Sequence, residues 1–467
     1  MIEYRNLKIA LLGAGSVGSR VAQLLLEHGD ELASRVGAGL ELVGIAVRDV
    51  DAERDVSLPK ELFTTDAESL ILSADIVIEL MGGIEPARSY ILEALNSGAD
   101  VVTGNKALLA LHGTELFAAA EQVGAQLYYE AAAGGAIPII RPLRDSLAGD
   151  RVKRILGIVN GTTNFILDRM DVDGDTLEGA LATATALGYA EADPTADIEG
   201  YDAAQKAAIL ARLAFHSEVP VGAVHREGIT SVTAEQVERA RRAGYVVKLL
   251  AICERVVDPV TGEEGISARV HPALVSRLHP LAAVHGAKNA VFVEAEAAGD
   301  LMFYGAGAGG LETASAVLGD LVSAARRHVA GGPGVGESFT AYLPVVDIGK
   351  VQTRYQITLE VVDATGVLAT IAGIFSDHDV SVETLEQSSA TGRTPASSAT
   401  AATGAAHTGA AHTGVAAHGE QASDHITATL VIVTHRASEQ ALAATVASLA
   451  GNTAVARVTS VMRVEGA

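Results

Sequence analysis

The chain has 467 residues, enough for about two to four domains with substantial hydrophobic cores. Its 34 basic and 57 acidic residues give a formal charge of -23, which argues against nucleic acid or an anionic membrane as a partner. The single cysteine, Cys253, and the lack of a signal-peptide pattern or of a membrane-length apolar run lead us to expect a cytoplasmic protein.

The first part of the chain alternates short β-rich segments with Ala- and Leu-rich helical segments. The pattern predicts strands at residues 7–13, 40–47, 74–82 and 100–104 and helices at 16–29 and 85–98. Apolar strands separated by helices are typical of βαβ units. The expected fold is therefore α/β, with a doubly wound parallel sheet.

A glycine-rich turn, GAGSVG, follows the first predicted strand and opens the first predicted helix. In this context Gly13 allows the tight turn, Gly15 lets a pyrophosphate approach, and Gly18 permits close contact between helix and strand. Ser16 and Val17 begin the helix whose N-terminus faces the phosphates. We predict that these five residues bind a dinucleotide.

The residues at the end of the second predicted strand, AVRDV, bear on whether the cofactor is NADP or NAD. Arg48 suits the 2′-phosphate of NADP, whereas the neighbouring Asp49 suits the 2′-hydroxyl of NAD. NADP is favoured and NAD stays open. Residues 1–145 are assigned to this Rossmann-type NAD(P)-binding domain, and the chain is expected to return to it near 310–345.

Three later turns carry small or charged residues where ligands commonly bind. Lys106, in TGNKALLA, points at the nicotinamide or the substrate, or is a surface lysine after an asparagine cap. Thr162 and Thr163, in GIVNGTTNFIL, bind a carboxylate or phosphate, or simply cap a helix. Gly307 and Gly309, in YGAGAGGLETASAV, contact the cofactor through the backbone or form a tight interdomain turn.

After about residue 150 the pattern becomes α+β, with predicted helices at 176–187 and 202–215. Residues 146–309 are expected to form a substrate-binding, catalytic and dimerisation domain. Within them, Asp202 and Lys206 are four residues apart and share one face of an Ala-rich helix. The simplest interpretation of such a pair is a surface ion pair with an acid near the helix N-terminus.

The C-terminal part has the order βαββαβ, which is the ferredoxin-like plan. The predicted elements cover residues 355–363, 366–379, 380–387, 425–435, 437–451 and 454–464. A Ser-, Ala- and Gly-rich stretch at 388–424 replaces a hairpin turn, and we interpret it as a flexible insertion.

The segment ATALGYAEADPTADIEGYDAAQK, residues 184–206, resembles the signature of homoserine dehydrogenases. The GAGSVG, TGNKALL, NGTTN and YGAGAGG turns occur in the order and spacing of that family. DATGVLATIA, within residues 352–467, is similar to an ACT domain. The resemblance implies a monofunctional, NAD(P)-dependent interconversion of L-homoserine and L-aspartate 4-semialdehyde in threonine and methionine biosynthesis.

The same resemblance assigns roles to individual residues of the 184–206 segment. It implies that Lys206 is the general acid/base and that Asp202 is its partner and touches the substrate hydroxyl. It places the substrate amine at Glu191, a supporting carboxylate at Asp197 and Gly188 near the nicotinamide. Proton transfer to or from an alkoxide suits a lysine flanked by carboxylates.

The family also binds a monovalent, sodium-like cation through backbone carbonyls of one loop. YYEAAAGGAIPII matches that loop, which implies a site at Glu130, Ala133, Gly135 and Ile137. These four residues were identified through the resemblance alone.

ACT domains commonly bind amino acids and pair through their sheets. The resemblance therefore implies L-threonine as an effector, bound near Gly366 between two chains of a homodimer or homotetramer. Deleting residues from 352 onward is expected to leave dehydrogenase activity. Two alternatives are another amino-acid-linked NAD(P) dehydrogenase and a non-catalytic sensor of NADPH and an amino acid; a sensor has no need of the Lys206–Asp202 pair.

Overall fold

The computed structural model describes most of the chain, over residues 5–258, 261–331, 341–389 and 427–466. It divides into two compact units, the first comprising Met1–Val351 with Val464–Ala467 and the second Gln352–Arg463. The predicted insertion at 388–424 lies almost entirely outside the described residues. Within those residues, no helix has both the length and the apolar character that a membrane span requires.

The first unit begins with a parallel sheet in the order β3-β2-β1-β4-β5-β6. Ile9 and Leu11 of its central strand are buried, as expected where helices cover both faces of a sheet. The predicted Rossmann-type parallel sheet is therefore confirmed. The strands are β1 (Leu7–Leu12), β2 (Leu40–Ala46), β3 (Phe63–Thr64), β4 (Ile76–Glu79), β5 (Asp100–Thr103) and β6 (Leu127–Tyr128).

The helices of this region connect successive strands, as in βαβ units. Val21 and Leu25 of the first helix are buried against the sheet, because apolar residues four apart share one face. The helices are α1 (Ser16–Glu27), α2 (Gly29–Val36), α3 (Ala67–Leu72), α4 (Ala87–Asn96) and α5 (Lys106–Val123).

The second region of the first unit is an antiparallel sheet with helices packed on it, which confirms the predicted α+β character. Its strands follow the order β12-β11-β7-β9-β10, and β8 adds a short parallel pairing to β10. The strands are β7 (Val152–Ile158), β8 (His225–Arg226), β9 (Tyr245–Val257), β10 (Glu264–Ser276), β11 (Lys288–Ala295) and β12 (Gly299–Ala306). The helices are α6 (Gly161–Val172), α7 (Leu177–Ala186), α8 (Thr195–Ile198), α9 (Tyr201–Phe215) and α10 (Ala234–Arg242).

Helix α9 is buried over almost its whole length. Its many alanines, among them Ala203, Ala207 and Ala211, let the helix approach β9 and β10 closely. A helix that is apolar all round belongs in a core. Lys206 lies in the middle of this apolar stretch, so its ammonium group needs partners.

The long helix α11 (Gly310–Ala330) follows β12 and packs against α1 and α2. Ala314, Val317 and Leu321 lie in the same hydrophobic cluster as the strands of the parallel sheet. The chain thus returns to the Rossmann-type region, while the boundaries at 145 and 309 stay predictions.

The second unit has the ferredoxin-like order that the sequence predicts. Its sheet runs β17-β13-β15-β14, with α12 and α13 packed together, and β16 is a short extra strand beside β13. The elements are β13 (Gln352–Val362), α12 (Val367–Asp377), β14 (Val382–Ser389), β15 (Thr427–Thr434), β16 (Ala437–Ser438), α13 (Glu439–Ala450) and β17 (Val455–Glu465).

The last residues of the chain belong to the first unit. Glu465 is buried there and pairs with Arg154 and, at 3.3 Å, with Arg269, two buried arginines of the antiparallel sheet. Burial opposes its ionisation, yet the two guanidinium groups hold the pKa of Glu465 at about 2. A deletion from residue 352 onward would remove this carboxylate and leave two buried arginines with one partner fewer. The expectation that such a deletion leaves dehydrogenase activity stays a prediction, and the loss of these ion pairs is the cost that it would have to tolerate.

Candidate active site

Two lysines contact one carboxylate at the start of α9. Lys106 Nζ donates to Asp202 Oδ1 at 2.7 Å, and Lys206 Nζ lies 2.7 Å from Asp202 Oδ2. Lys106 begins α5, and the Asn105 side chain caps that helix by accepting from Leu108 N. The predicted asparagine cap is present, but the lysine after it reaches across to α9.

Lys206 has a second, main-chain partner. Its Nζ donates to the carbonyl of Val159 at 2.6 Å, and only 7% of the side chain is exposed. Burial lowers the pKa of Lys206 from its usual value, against the attraction of Asp202. Burial also opposes ionisation of Asp202, yet the charges of Lys206 and Lys106 together hold the pKa of that carboxyl well below its usual range.

Asn160, which the sequence reasoning did not single out, connects the two acids of the 184–206 segment. Its Nδ2 donates to Asp197 Oδ1 at 2.6 Å and to Asp202 Oδ2 at 3.1 Å. Burial raises the pKa of Asp197, partly offset by the bond from Asn160. The available signal was the NGTT run itself, in which Asn160 caps α6.

Thr163 contacts the residue that caps α6, which corresponds to the capping alternative of the sequence analysis. Its backbone N–H and its hydroxyl each donate to Asn160 Oδ1 at 2.9 Å, and the residue is buried. These donors hold the asparagine side chain, so they are not directed at a carboxylate or phosphate. The neighbouring Thr162 donates to the carbonyl of Tyr189 at 2.6 Å and ties the turn to the segment after α7.

Gly188 and Glu191 lie on this segment, and both are exposed. Gly188 adopts a positive φ of 77° in the turn after α7, a conformation that glycine adopts without strain. The Glu191 side chain makes no hydrogen bond or ion pair with any described residue. The structure therefore does not join Glu191 to the lysine–aspartate cluster, and its carboxylate is available to a ligand.

The glycines of GAGSVG make the contacts expected of a dinucleotide turn. Gly13 has a φ of 98°, and a Cβ there would lie 2.8 Å from the carbonyl oxygen of Leu80. A Cβ on Gly18 would lie 2.1 Å from the oxygen of Gly13, so only glycine fits where helix and strand meet. Gly15 and Ser16 line a cleft of about 530 Å³ at this turn.

The basic residues that line this cleft are Arg20 and Arg54, and its lining does not include Arg48. Arg48 is exposed and lies two residues after the end of β2. Arg54 donates to the carbonyl of Asp49 at 2.8 Å and lies 4.3 Å from the ring centre of Phe63. The loop after β2 is thus organised by Arg54, whose position the sequence reasoning missed.

The predicted cation loop is held by the side chain of its first residue. The Glu130 carboxylate accepts from the N–H groups of Ile139, Ile140 and Arg141 at 2.6–3.1 Å, and from Arg141 Nε at 2.9 Å. Its own N–H donates to Asp320 at 2.8 Å. Burial and the charge of Glu130 raise the pKa of Asp320 to about 7. With its carboxylate engaged in this way, Glu130 can offer a cation only its main-chain oxygen.

Main-chain oxygens converge on the glycines of the same loop. Gly135 has a φ of 63°, and a Cβ there would lie 2.2 Å from the oxygen of Gly307. A Cβ on Gly134 would lie 2.7 Å from the oxygen of Ile137, and both Ala133 and Ile137 are buried. Buried oxygen donors are the chemistry that a hard cation requires. The residues present are therefore compatible with the predicted cation.

The turn between β12 and α11 packs against this loop. Gly309 precedes α11 with a φ of 138°, which only glycine adopts readily. A Cβ on Gly307 would lie 2.1 Å from Asn289 Nδ2. Both glycines therefore permit close backbone approach here, while Gly310 and not these two lines the cofactor cleft.

In the second unit, a small pocket of about 180 Å³ lies between the end of β13 and the start of α12. Asp363, Thr365, Gly366, Leu368 and Gln387 are among the residues that line it. Gly366 has a φ of 91° and precedes the first residue of α12. The lining of the pocket thus includes both a carboxylate and the N-terminus of a helix, the two groups that the ammonium and carboxylate of an amino acid would need.

Comparison with known proteins gives one answer along the chain. Family models match at residues 13–130 (homoserine dehydrogenase, NAD binding domain), 138–322 (homoserine dehydrogenase) and 355–410 (ACT domain). A homoserine dehydrogenase of Corynebacterium glutamicum is 50% identical over 98% of this chain and 95% of its own length.

Solved structures agree. The crystal structure of a homoserine dehydrogenase from Thiobacillus denitrificans covers 100% of both chains at 35% identity, with a TM-score of 0.85. A hyperthermophilic archaeal homoserine dehydrogenase in complex with NADPH covers 70% of this chain and 99% of its own, at 27% identity and a TM-score of 0.57. The chain belongs to the homoserine dehydrogenase family, whose members are oxidoreductases acting on a CH–OH group, and it carries a C-terminal ACT domain.

Proposed function

We propose that Lys206 transfers the proton in the interconversion of L-homoserine and L-aspartate 4-semialdehyde. In the oxidation direction, the neutral Lys206 amine removes the hydroxyl proton of homoserine, and in reduction its ammonium returns that proton. When bound, the nicotinamide cofactor accepts or supplies the hydride of the same carbon. The observation that carries the proposal is a buried lysine that contacts Asp202 and donates to the carbonyl of Val159, and burial lowers the pKa of its ammonium group.

Neighbouring residues would position this amine and the substrate. Asp202 sets the direction of the Lys206 and Lys106 ammonium groups through its two oxygens. Asn160 restrains Asp202 and Asp197 at the same time, so the Asp197 carboxylate supports the site from behind. Lys106 is 40% exposed, which lets its ammonium face substrate or nicotinamide while it remains on Asp202.

Recognition of the amino-acid part is assigned to the segment after α7. Glu191 would pair with the substrate ammonium, because its exposed carboxylate has no partner among the described residues. Gly188 would give the nicotinamide close access to the backbone. A direct test measures nicotinamide absorbance with L-homoserine, L-serine and L-threonine as substrates. Reduction of the cofactor only with homoserine is expected, and equal rates with serine would contradict the assignment.

We propose NADP as the preferred cofactor, with the 2′-phosphate near Arg48 and the adenosine in the cleft that Arg20 and Arg54 line. The archaeal relative with bound NADPH supports the choice. Arg48→Gln should raise KM for NADP about tenfold, because a charge-assisted contact is lost, and should leave KM for NAD nearly unchanged. Equal effects on both cofactors would exclude Arg48 from the phosphate site.

We further propose a sodium-type cation on the main-chain oxygens of Glu130, Ala133, Gly135 and Ile137. Its role would be to fix the loop, and no proton or hydride passes through it. Sodium-23 NMR of the protein and its thermal stability in sodium chloride or choline chloride at equal ionic strength provide the test. A specific ion should broaden the NMR signal and raise Tm, whereas identical Tm values in both salts would contradict the site.

For the ACT domain we propose L-threonine as the effector, in the small pocket at Asp363 and Gly366. A volume of about 180 Å³ suits a single amino acid better than drug-sized ligands, which need about 300–1,000 Å³. We also propose a homodimer or homotetramer in the cytoplasm, a reducing compartment consistent with one buried free cysteine. Analytical ultracentrifugation with and without threonine tests the assembly, and a monomer at all concentrations would exclude it.

A further inference from the structure

A buried carboxylate at the end of β4 belongs neither to the proposed catalytic cluster nor to the GAGSVG turn. Glu79 is the last residue of β4 and is fully buried. Its Oε1 accepts from Met81 N at 2.8 Å and from Gly82 N at 3.3 Å, and its Oε2 accepts from Thr103 Oγ1 at 2.7 Å. Each of these partners is a donor, so the carboxylate joins the loop after β4 to the end of β5.

This carboxylate lies at the edge of the parallel sheet where a cofactor is expected to bind. The strand order β3-β2-β1-β4-β5-β6 changes direction between β1 and β4, and ligands of such sheets bind there, outside the carboxyl ends of the strands. A Cβ on Gly13 would lie 2.8 Å from the oxygen of Leu80, so the loop after β4 contacts the GAGSVG turn. Gly82 and Gly83 of this loop are exposed. Glu79 therefore holds a loop that lies beside the proposed dinucleotide turn.

The turn after β5 is tied to the same loop by two polar side chains. Thr103 Oγ1, the donor to Glu79, also accepts from Asn105 N at 3.1 Å. The Asn105 side chain donates to the carbonyl of Gly83 at 2.7 Å, and it caps α5 by accepting from Leu108 N at 3.2 Å. The loop after β4, the turn after β5 and the first turn of α5 thus form one hydrogen-bonded unit.

Lys106 follows this unit directly, as the first residue of α5. Its side chain is 40% exposed, yet its ammonium group donates to Asp202 Oδ1 at 2.7 Å. A long, partly exposed lysine loses rotamer freedom when it is held in one position, so the contact persists only if the backbone that carries the lysine is fixed. The cap at Asn105 fixes that backbone, and the bond between Glu79 and Thr103 fixes the turn that carries the cap.

We propose that Glu79 is a positioning residue of the dehydrogenase, which acts through Thr103 to hold Lys106 at the reaction site. The inference rests on the role proposed above for Lys106 beside Asp202, and it identifies the group that keeps the lysine there. A small displacement of a group at a reaction site lowers the rate by a large factor. Loss of the bond between Glu79 and Thr103 should therefore lower kcat/KM for homoserine, and it should do so only while Lys106 is present.

A double-mutant cycle with Lys106 tests this dependence in the full-length enzyme. Thr103→Val removes the hydroxyl at nearly constant shape and should lower kcat/KM for homoserine about tenfold, the effect of one lost hydrogen bond. Thr103→Ser should restore most of the activity. In the Lys106→Gln background, Thr103→Val should lower kcat/KM about twofold or less. Glu79→Gln should show the same dependence on Lys106, and the Thr103 variants decide the question if Glu79→Gln does not fold.

Thr64→Val is the matched control. Thr64 ends β3 of the same sheet, its hydroxyl accepts from Asp66 N at 3.0 Å, and Asp66 caps α3. This control should keep kcat/KM within about twofold of its background, with or without Lys106. Equal losses from Thr103→Val in both backgrounds, or no recovery in Thr103→Ser, would overturn the positioning role and leave the proposed role of Lys106 intact. An unchanged kcat/KM in Lys106→Gln alone would instead contradict the role of Lys106, and the inference with it.

Discussion

The proposed substrate site around Lys206 and the proposed effector pocket of the ACT domain are built in different ways. The cluster around Lys206 joins side chains from three helices, with Lys106 and Asp202 separated by 96 residues and Asn160 and Asp202 by 42. The pocket of the ACT domain is lined almost entirely by consecutive residues at the end of β13 and the start of α12. The first site therefore depends on tertiary packing, whereas the second depends mainly on the conformation of one turn.

The difference has an energetic consequence. The proposed catalytic cluster brings two buried charges together, those of Asp202 and Lys206, and each favours the ionised form of the other. In the proposed effector pocket Asp363 and Gly366 are exposed, so neither depends on buried neighbours. We expect substitutions in the cluster to have large, coupled effects and substitutions in the pocket to have smaller, separable effects.

Replacement of the central lysine gives the largest expected effect. Lys206→Met should lower kcat by about 10² to 10⁴ and change the KM for NADP little, because general acid–base catalysis contributes about that factor. Stopped-flow measurement of hydride transfer with saturating homoserine provides the test. The matched control is Lys248→Met, which removes another buried lysine, bonded to Asn164 and Val284 instead. Normal turnover in Lys206→Met would exclude the assigned role.

The next largest expected effect is the loss of stability when Glu465, at the end of the chain, is replaced. Glu465→Gln should destabilise the protein by about 3–5 kcal/mol, because Arg154 and Arg269 would lose a buried anion. Since the pKa of Glu465 is depressed, its stabilisation exists above the unfolded value of 4.5 and is lost as the pH falls toward 2. Urea unfolding should therefore show a smaller difference in the free energy of unfolding between the unmodified protein and Glu465→Gln at pH 3 than at pH 7.

A surface pair of the second unit is the control for this measurement. Glu360→Gln removes an exposed partner of Arg457 and should cost at most about 1 kcal/mol. If Glu465→Gln lowers the free energy of unfolding no more than Glu360→Gln does, then the Glu465 side chain does not stabilise the first unit.

The sequence predicted the elements of both sites well but the contacts of only one. In the ACT domain, Gly366 was identified as the turn residue, and a strand–turn–helix pattern is sufficient to place its neighbours. In the first unit, Lys106, Lys206 and Asp202 as the partner of Lys206 were all identified, but the bond from Lys106 to Asp202 was not. Spacing along a chain carries no information on which carboxylate lies between two helices 96 residues apart.

The NGTT turn shows the same limit. The sequence left two interpretations open for its hydroxyls, a ligand site or a helix cap, and in the structure Thr163 donates to the capping residue Asn160. The choice between capping and ligand binding depends on what lies opposite the turn. Here that is Asp197 and Asp202, which are brought there by α8 and α9.

For the ACT domain we expect an effect on regulation alone. Asp363→Asn should weaken inhibition by L-threonine about tenfold, within the 5- to 150-fold range of ordinary allosteric coupling, and leave kcat without effector unchanged. Activity at subsaturating homoserine across a threonine titration measures the change. The control is Asp377→Asn, on the same module at the end of α12 and outside the pocket. Insensitivity of the unmodified enzyme to millimolar threonine would contradict the effector assignment.

The smallest expected effect is a shift in the pH dependence of homoserine oxidation. The direction of the shift tests whether the charges of Lys106 and Asp202 act on Lys206. In homoserine oxidation the neutral Lys206 amine is the base, so the rate rises with pH to a plateau and its midpoint reports the Lys206 pKa. The positive charge of Lys106 lowers that pKa and the negative charge of Asp202 raises it. Lys106→Gln should therefore move the midpoint to higher pH, and Asp202→Asn should move it to lower pH.

Each displacement should be about one pH unit or less, since one unit corresponds to about 1.4 kcal/mol of interaction between neighbouring charges. The measurement is kcat/KM for homoserine against pH, with homoserine deuterated at the reacting carbon to show that hydride transfer limits the rate. Both variants leave Lys206 in place, so they change the environment of the base and not its identity. A midpoint that moves in the same direction in both variants, or in neither, would show that another group titrates. Opposite shifts would require a base that feels both the positive charge of Lys106 and the negative charge of Asp202. Among the described residues, Lys206 alone contacts Asp202 and also bonds to the main chain of Val159.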